Sequence, residues 1–109
     1  MAYERIGFLL SDREETVLEA LTAFRNSLTI RERLVEVDPS NAGWQHDVAL
    51  AYQPLILGYL FITHEKEKAG RLLTVGRKIM QQLHSLSPDN SRWKKDLAWY
   101  EKQMAALGK

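Results

Sequence analysis

Apolar residues along this chain recur at threes and fours. Between about Glu14 and Val37 they fall at Val17, Leu21, Phe24, Leu28 and Val35, with Ala20, Ser27 and Leu34 on the neighbouring ridge. That spacing keeps side chains on one side of an α-helix. The same rhythm runs through Ala69, Leu72, Gly76, Ile79, Leu83 and Leu86, and again through Trp93, Leu97, Tyr100, Met104 and Leu107. From Asp47 to His64 the chain is apolar apart from interruptions such as Gln53 and Pro54. This stretch falls short of the roughly 20 apolar residues a membrane-spanning helix needs and reads as a buried helix. No stretch alternates with period two over a useful length, so strands are not expected. The pattern predicts five helices, at about 2–10, 14–37, 41–62, 66–86 and 90–107.

Punctuation and repetition sharpen this. Asp38-Pro39-Ser40-Asn41-Ala42-Gly43-Trp44-Gln45-His46-Asp47-Val48-Ala49 matches Ser87-Pro88-Asp89-Asn90-Ser91-Arg92-Trp93-Lys94-Lys95-Asp96-Leu97-Ala98, with Pro, Asn, Trp, Asp and Ala at a constant offset of 49 residues. Carried back, the offset pairs Tyr3 with Tyr52, Ala20 with Ala69, Ile30 with Ile79 and Leu34 with Leu83. Pro39 and Pro88 end the long helices, because proline pushes the residue before it out of helical angles. Asn41 and Asn90 are suited to cap the helices that follow, and Ser11 or Asp12 the one beginning near Arg13. The expected organisation is one domain over residues 1–109: a first repeat to about 40, a second over about 41–89 and a terminal helix at 90–107. A lone helix pair cannot bury its apolar side, so stacked pairs in a short right-handed solenoid are the expected all-α architecture.

Tyr3-x-x-Ile6-Gly7-x-x-Leu10, Ala20-x-x-x-Phe24-x-x-Ser27 and Pro39 together resemble the tetratricopeptide repeat, whose period is about 34 residues. The excess sits in two places. Ala20 to Pro39 and Pro39 to Tyr52 are each seven residues longer than the family pattern, and one further residue lies between Tyr3 and Ala20. Seven residues are nearly two turns of about 3.6, so both helices lengthen without rotating their buried sides. The chain looks like long-period tetratricopeptide-like arrays of bacterial proteins. It departs from the pattern at Ile56, which stands opposite Gly7, at Pro54 inside a first helix, and at Gly70 and Leu73, opposite Leu21 and Phe24. Proline inside a helix removes one backbone hydrogen bond and kinks the axis. The chain also opens inside a first helix, which fits a truncated remnant of a longer array.

The resemblance implies a ligand groove lined by the first helix of each pair. It would comprise Glu4, Phe8, Ser11 and Asp12, then Leu50, Gln53, Leu57, Leu60 and Phe61, then Trp99, Lys102 and Ala106. Leu57, Leu60 and Phe61 are unusually apolar for a groove. They read either as a partner or self-association patch or as residues turned into the core by Pro54. The repeating Trp44 and Trp93 read as packing between pairs, and Asp47 and Asp96 as structural.

Composition narrows the chemistry. The chain of 109 residues has no cysteine, which excludes disulfides, zinc ribbons and thiol nucleophiles. His64-Glu65-Lys66-Glu67-Lys68 opens like a zinc-protease motif, but Lys68 stands where the second histidine belongs. His46, His64 and His84 fall on different elements and are expected to be exposed rather than ligating. Gly70 and Gly76 before Arg77-Lys78 lack phosphate-loop spacing, and no Gly-x-Ser-x-Gly occurs. No catalytic residue, metal or cofactor is expected. Residues 1–53 hold five arginines against nine acids, net −4, and residues 54–109 ten bases against five acids, net +5. That polarity suits head-to-tail association or an acidic partner. Arg71, Arg77, Lys78, Arg92, Lys94 and Lys95 are a candidate basic patch, but a pI of about 8.0 is low for a nucleic-acid binder. Met1-Ala2-Tyr3-Glu4-Arg5 is not a secretory signal. The expected function is a cytoplasmic, non-catalytic scaffold for a protein or peptide. A self-associating module, a homo-oligomer, is the alternative.

Overall fold

The computed structural model describes residues 12–108. Among them are four helices and no strand: α1 (Asp12–Val37), α2 (Ala42–Phe61), α3 (Lys66–Leu86) and α4 (Ser91–Leu107). Each expected boundary within this range lies within two residues of the observed one. The expected helix at 2–10, with Tyr3, Glu4 and Phe8, and Ser11 after it lie outside the described residues. Asp12 opens α1.

The two proline turns have nearly one geometry. Asn41 caps α2 with its side-chain oxygen accepting from the Trp44 amide at 3.0 Å, and Asn90 does the same for α4 from Trp93, also at 3.0 Å. Backbone angles at the caps are φ −75°, ψ 101° and φ −72°, ψ 102°. Asp38 and Ser87 donate their amides to Leu34 and Leu83, closing the preceding helices. A side-chain oxygen at this position satisfies one of the amides that a helix start leaves unpaired.

Each helix packs on the next in sequence, α1 on α2, α2 on α3 and α3 on α4. The core runs through Leu21 and Leu28 of α1, Val48, Tyr52, Leu55, Ile56 and Tyr59 of α2, Ala69, Leu73, Met80 and Leu83 of α3, and Tyr100 of α4. The apolar α2 is enclosed on most sides, and it carries nine buried residues against one in α4. That enclosure explains why its sequence lacks a polar stripe. Helix α2 continues past Pro54 to Phe61.

Two contacts tie α2 to α4 directly. His46 Nε2 lies 2.6 Å from Asp96 Oδ2, and the Tyr100 hydroxyl donates to the Ala49 carbonyl. The Tyr100 ring lies against Gly76, where a Cβ would overlap it. Burial pushes the Tyr100 phenol well above the ordinary tyrosine range, so it stays protonated and remains a donor.

Candidate functional groove

Apart from Asp12 at the start of α1, the described residues of the expected groove lie on α2 and α4. Gln53 is half-buried, with its Nε2 buried and without a hydrogen-bond partner. Leu57 and Phe61 are exposed, Phe61 at 69%, while Leu60 is half-buried against the core. Pro54 therefore does not turn Leu57 and Phe61 inward. On α4, Trp99 is half-buried with its ring edge-on to Tyr100 at 5.0 Å, and Lys102 is exposed.

A pocket of about 400 Å³ brings some of these residues together with others that the repeat pattern did not reveal. Leu60 and Phe61 come from the end of α2, His64 and Lys66 from the turn into α3, and Gln103, Ala106 and Leu107 from the end of α4. Its size falls within the range of small-ligand and side-chain pockets. The turn is set by Ile62 and Thr63, whose amides both donate to the Gly58 carbonyl, and by Glu65, whose amide donates to Tyr59. His64 follows in the left-handed region at φ 58°, where glycine is the usual occupant. The pocket is thus apolar, with an imidazole and an ammonium at its rim. Gln53, Leu57, Trp99 and Lys102 do not line it.

Two further hollows of about 340 Å³ each lie between α1 and α3 over α2. One is lined by Arg25, Lys68 and Arg71 around Leu28, Leu55, Tyr59 and Leu72, with the Lys68 ammonium 5.6 Å from the Tyr59 ring centre. The other has Glu32 and Glu36 beside Val35, Val48, Tyr52 and Ile79. Burial, and then Glu36, pushes the Glu32 carboxyl up, and burial followed by Glu32 raises the Tyr52 phenol. The apolar walls of each hollow come from three helices, so no local motif announced either one.

Two of the three histidines depart from the expected exposure. His46 is buried, 7% exposed, because the Asp96 carboxylate holds its ring nitrogen and Trp93 packs beside it at 6.1 Å. His84 is half-buried, and His64 is exposed. The His46–Asp96 pair resembles half of a proton relay, but neither residue lines these pockets. Among the described residues, no group of three or more potential ligands is placed to hold a metal, and no helix is long and apolar enough to cross a membrane. The basic candidates also diverge. Arg77 is half-buried with Nη1 3.7 Å from Met104 Sδ, and Trp93 packs against the core, while Arg92, Lys94 and Lys95 are exposed. Comparison of the chain with family models, with curated proteins and with solved structures finds no match in any of the three.

Proposed function

We propose that this chain is a non-catalytic, tetratricopeptide-like scaffold, a short right-handed helical solenoid that takes a peptide segment of a partner protein along α2 and α4. The observation that carries this reading is the apolar pocket lined by exposed Phe61, with exposed Leu57 one turn before it on α2 and exposed Ile62 next to it. Large exposed apolar side chains beside a preformed hollow match the anchor-and-pocket arrangement that supplies most binding energy in protein interfaces. The rim, with His64, Lys66 and Gln103, favours a segment in which an acidic group neighbours a large apolar one. Matched caps at Asn41 and Asn90, 49 residues apart, support the repeat reading.

Selection of a random peptide library on the intact protein tests this. Enriched sequences should share one large apolar residue, and affinity should fall at least about tenfold in Phe61→Ser with the helical circular dichroism spectrum unchanged. Enrichment of no peptide, or equal binding by the variant, would overturn the groove reading.

A further inference from the structure

Helix α1 has two apolar stripes, and only one is used by α2. Leu21, Leu28 and Val35 pack into the core. The second stripe is Ala20, Ala23, Ser27, Ile30, Leu34 and Val37, spaced three, four, three, four, three. This is the rhythm of a helix that packs lengthwise on another helix. The residues 49 positions later on α3 are Ala69, Leu72, Gly76, Ile79, Leu83 and Leu86, and all but Leu86 at the helix end are buried or half-buried. On α1, Ile30 is 61% exposed, Leu34 39% and Val37 78%, and Ala23 is also exposed.

The order of sizes along the stripe identifies what fits it. Its first half is small (Ala20, Ala23, Ser27) and its second half large (Ile30, Leu34, Val37). In an antiparallel pairing of two copies of α1, Ala20 meets the partner's Val37, Ala23 meets the partner's Leu34, and Ser27 meets the partner's Ile30. Each layer then holds one small and one large side chain, and the reverse contacts repeat the match across a twofold axis. A parallel pairing would crowd the large residues at one end and leave gaps at the other. The flanking pairs agree: Asn26 stands by the partner's Arg33, and Phe24 by the partner's Arg31, a residue whose Nη1 donates to the Asp47 carbonyl within each copy, so no like charges oppose one another. Among the described residues, the outer side of α4 carries no stripe of large exposed apolar side chains. On α4, Glu101 and Ala105 are exposed where their counterparts on α2, Tyr52 and Ile56, are buried.

We propose that the exposed stripe of α1 is the interface of an antiparallel, twofold-symmetric homodimer. Sedimentation of the intact protein across a dilution series tests it. The wild type should reach twice its 12.6 kDa mass. Ile30→Glu and Leu34→Glu, both at exposed positions, should weaken dimerisation at least about tenfold with helicity unchanged. The chain has no cysteine, so the paired substitution Ser27→Cys with Ile30→Cys should link two copies on oxidation. A wild type that stays monomeric at about 1 mM would overturn the proposal; in that case a stripe protected from hydrogen exchange would point to cover from elsewhere in the chain. A dimer indifferent to both glutamates, or one the cysteines fail to link, would overturn the interface or its register.

Discussion

The pairs α1–α2 and α3–α4 share one sequence frame, 49 residues apart, and fill it differently. In the first pair Leu21 of α1 reaches Gly58 of α2, so closely that a Cβ there would overlap its Cδ2. In the second pair the counterpart of Leu21 is Gly70 and that of Gly58 is Leu107, and a Cβ on Gly70 would lie 3.5 Å from the Leu107 Cδ2. Leucine and glycine have exchanged helices. Close packing constrains the summed volume at a contact, not the residue at either position. Gly70 and Leu73, departures from the family pattern when read along the sequence, are therefore not signs of decay. Leu73 is fully buried, whereas its counterpart Phe24 is 40% exposed.

The sharpest way to break this contrast is to truncate equivalent positions. Leu73→Ala should cost about 2–5 kcal/mol of unfolding free energy by leaving a cavity, and Phe24→Ala well under half of that, as read from denaturant midpoints. Equal losses would mean that the two pairs are energetically alike. Next in size is the exchanged contact. Gly58→Leu overpacks it, and Leu21→Gly empties it and adds a glycine to a helix interior. Made together, they recreate the α3–α4 arrangement, so the double variant should be more stable than the sum of the two losses predicts by about 1–3 kcal/mol. Simple additivity would refute the trade of volumes.

The smallest effect concerns charge. Glu32 in α1 has its carboxyl raised by burial and Glu36, whereas its counterpart on α3 is Gln81, which does not titrate. A carboxyl raised in the folded state opposes folding once it ionises. Stability is therefore higher below the ordinary carboxylate range and declines as pH rises through the raised value. Glu32→Gln should raise the melting temperature slightly at pH 7, and the gain should vanish as pH falls through that range. A gain independent of pH would exclude this cause.

Much of the helical framework was legible because its signals are local. Asn41 and Asn90 cap as their positions before Trp44 and Trp93 suggested, and the threes and fours of α3 put Ala69, Gly76 and Leu83 inside. The groove was legible only in part. Leu60 and Phe61 reach the pocket, but His64 and Gln103 join it through a left-handed turn and the end of another helix. His46 could not be placed from sequence. Its counterpart one repeat later is Lys95, and its burial depends on Asp96, 50 residues away.

The ties between α2 and α4 bear on how the molecule comes apart. In a chain of helices that touch only their neighbours, the end helix frays alone and each unit melts nearly independently. Here releasing α4 also uncovers His46 and frees the Ala49 carbonyl, two helices back. Opening at the end is therefore charged to the middle of the chain. Amide protons of α4 and α2 should exchange with similar free energies, and loosening of the last helix should register as loss of the whole rather than as a frayed tip.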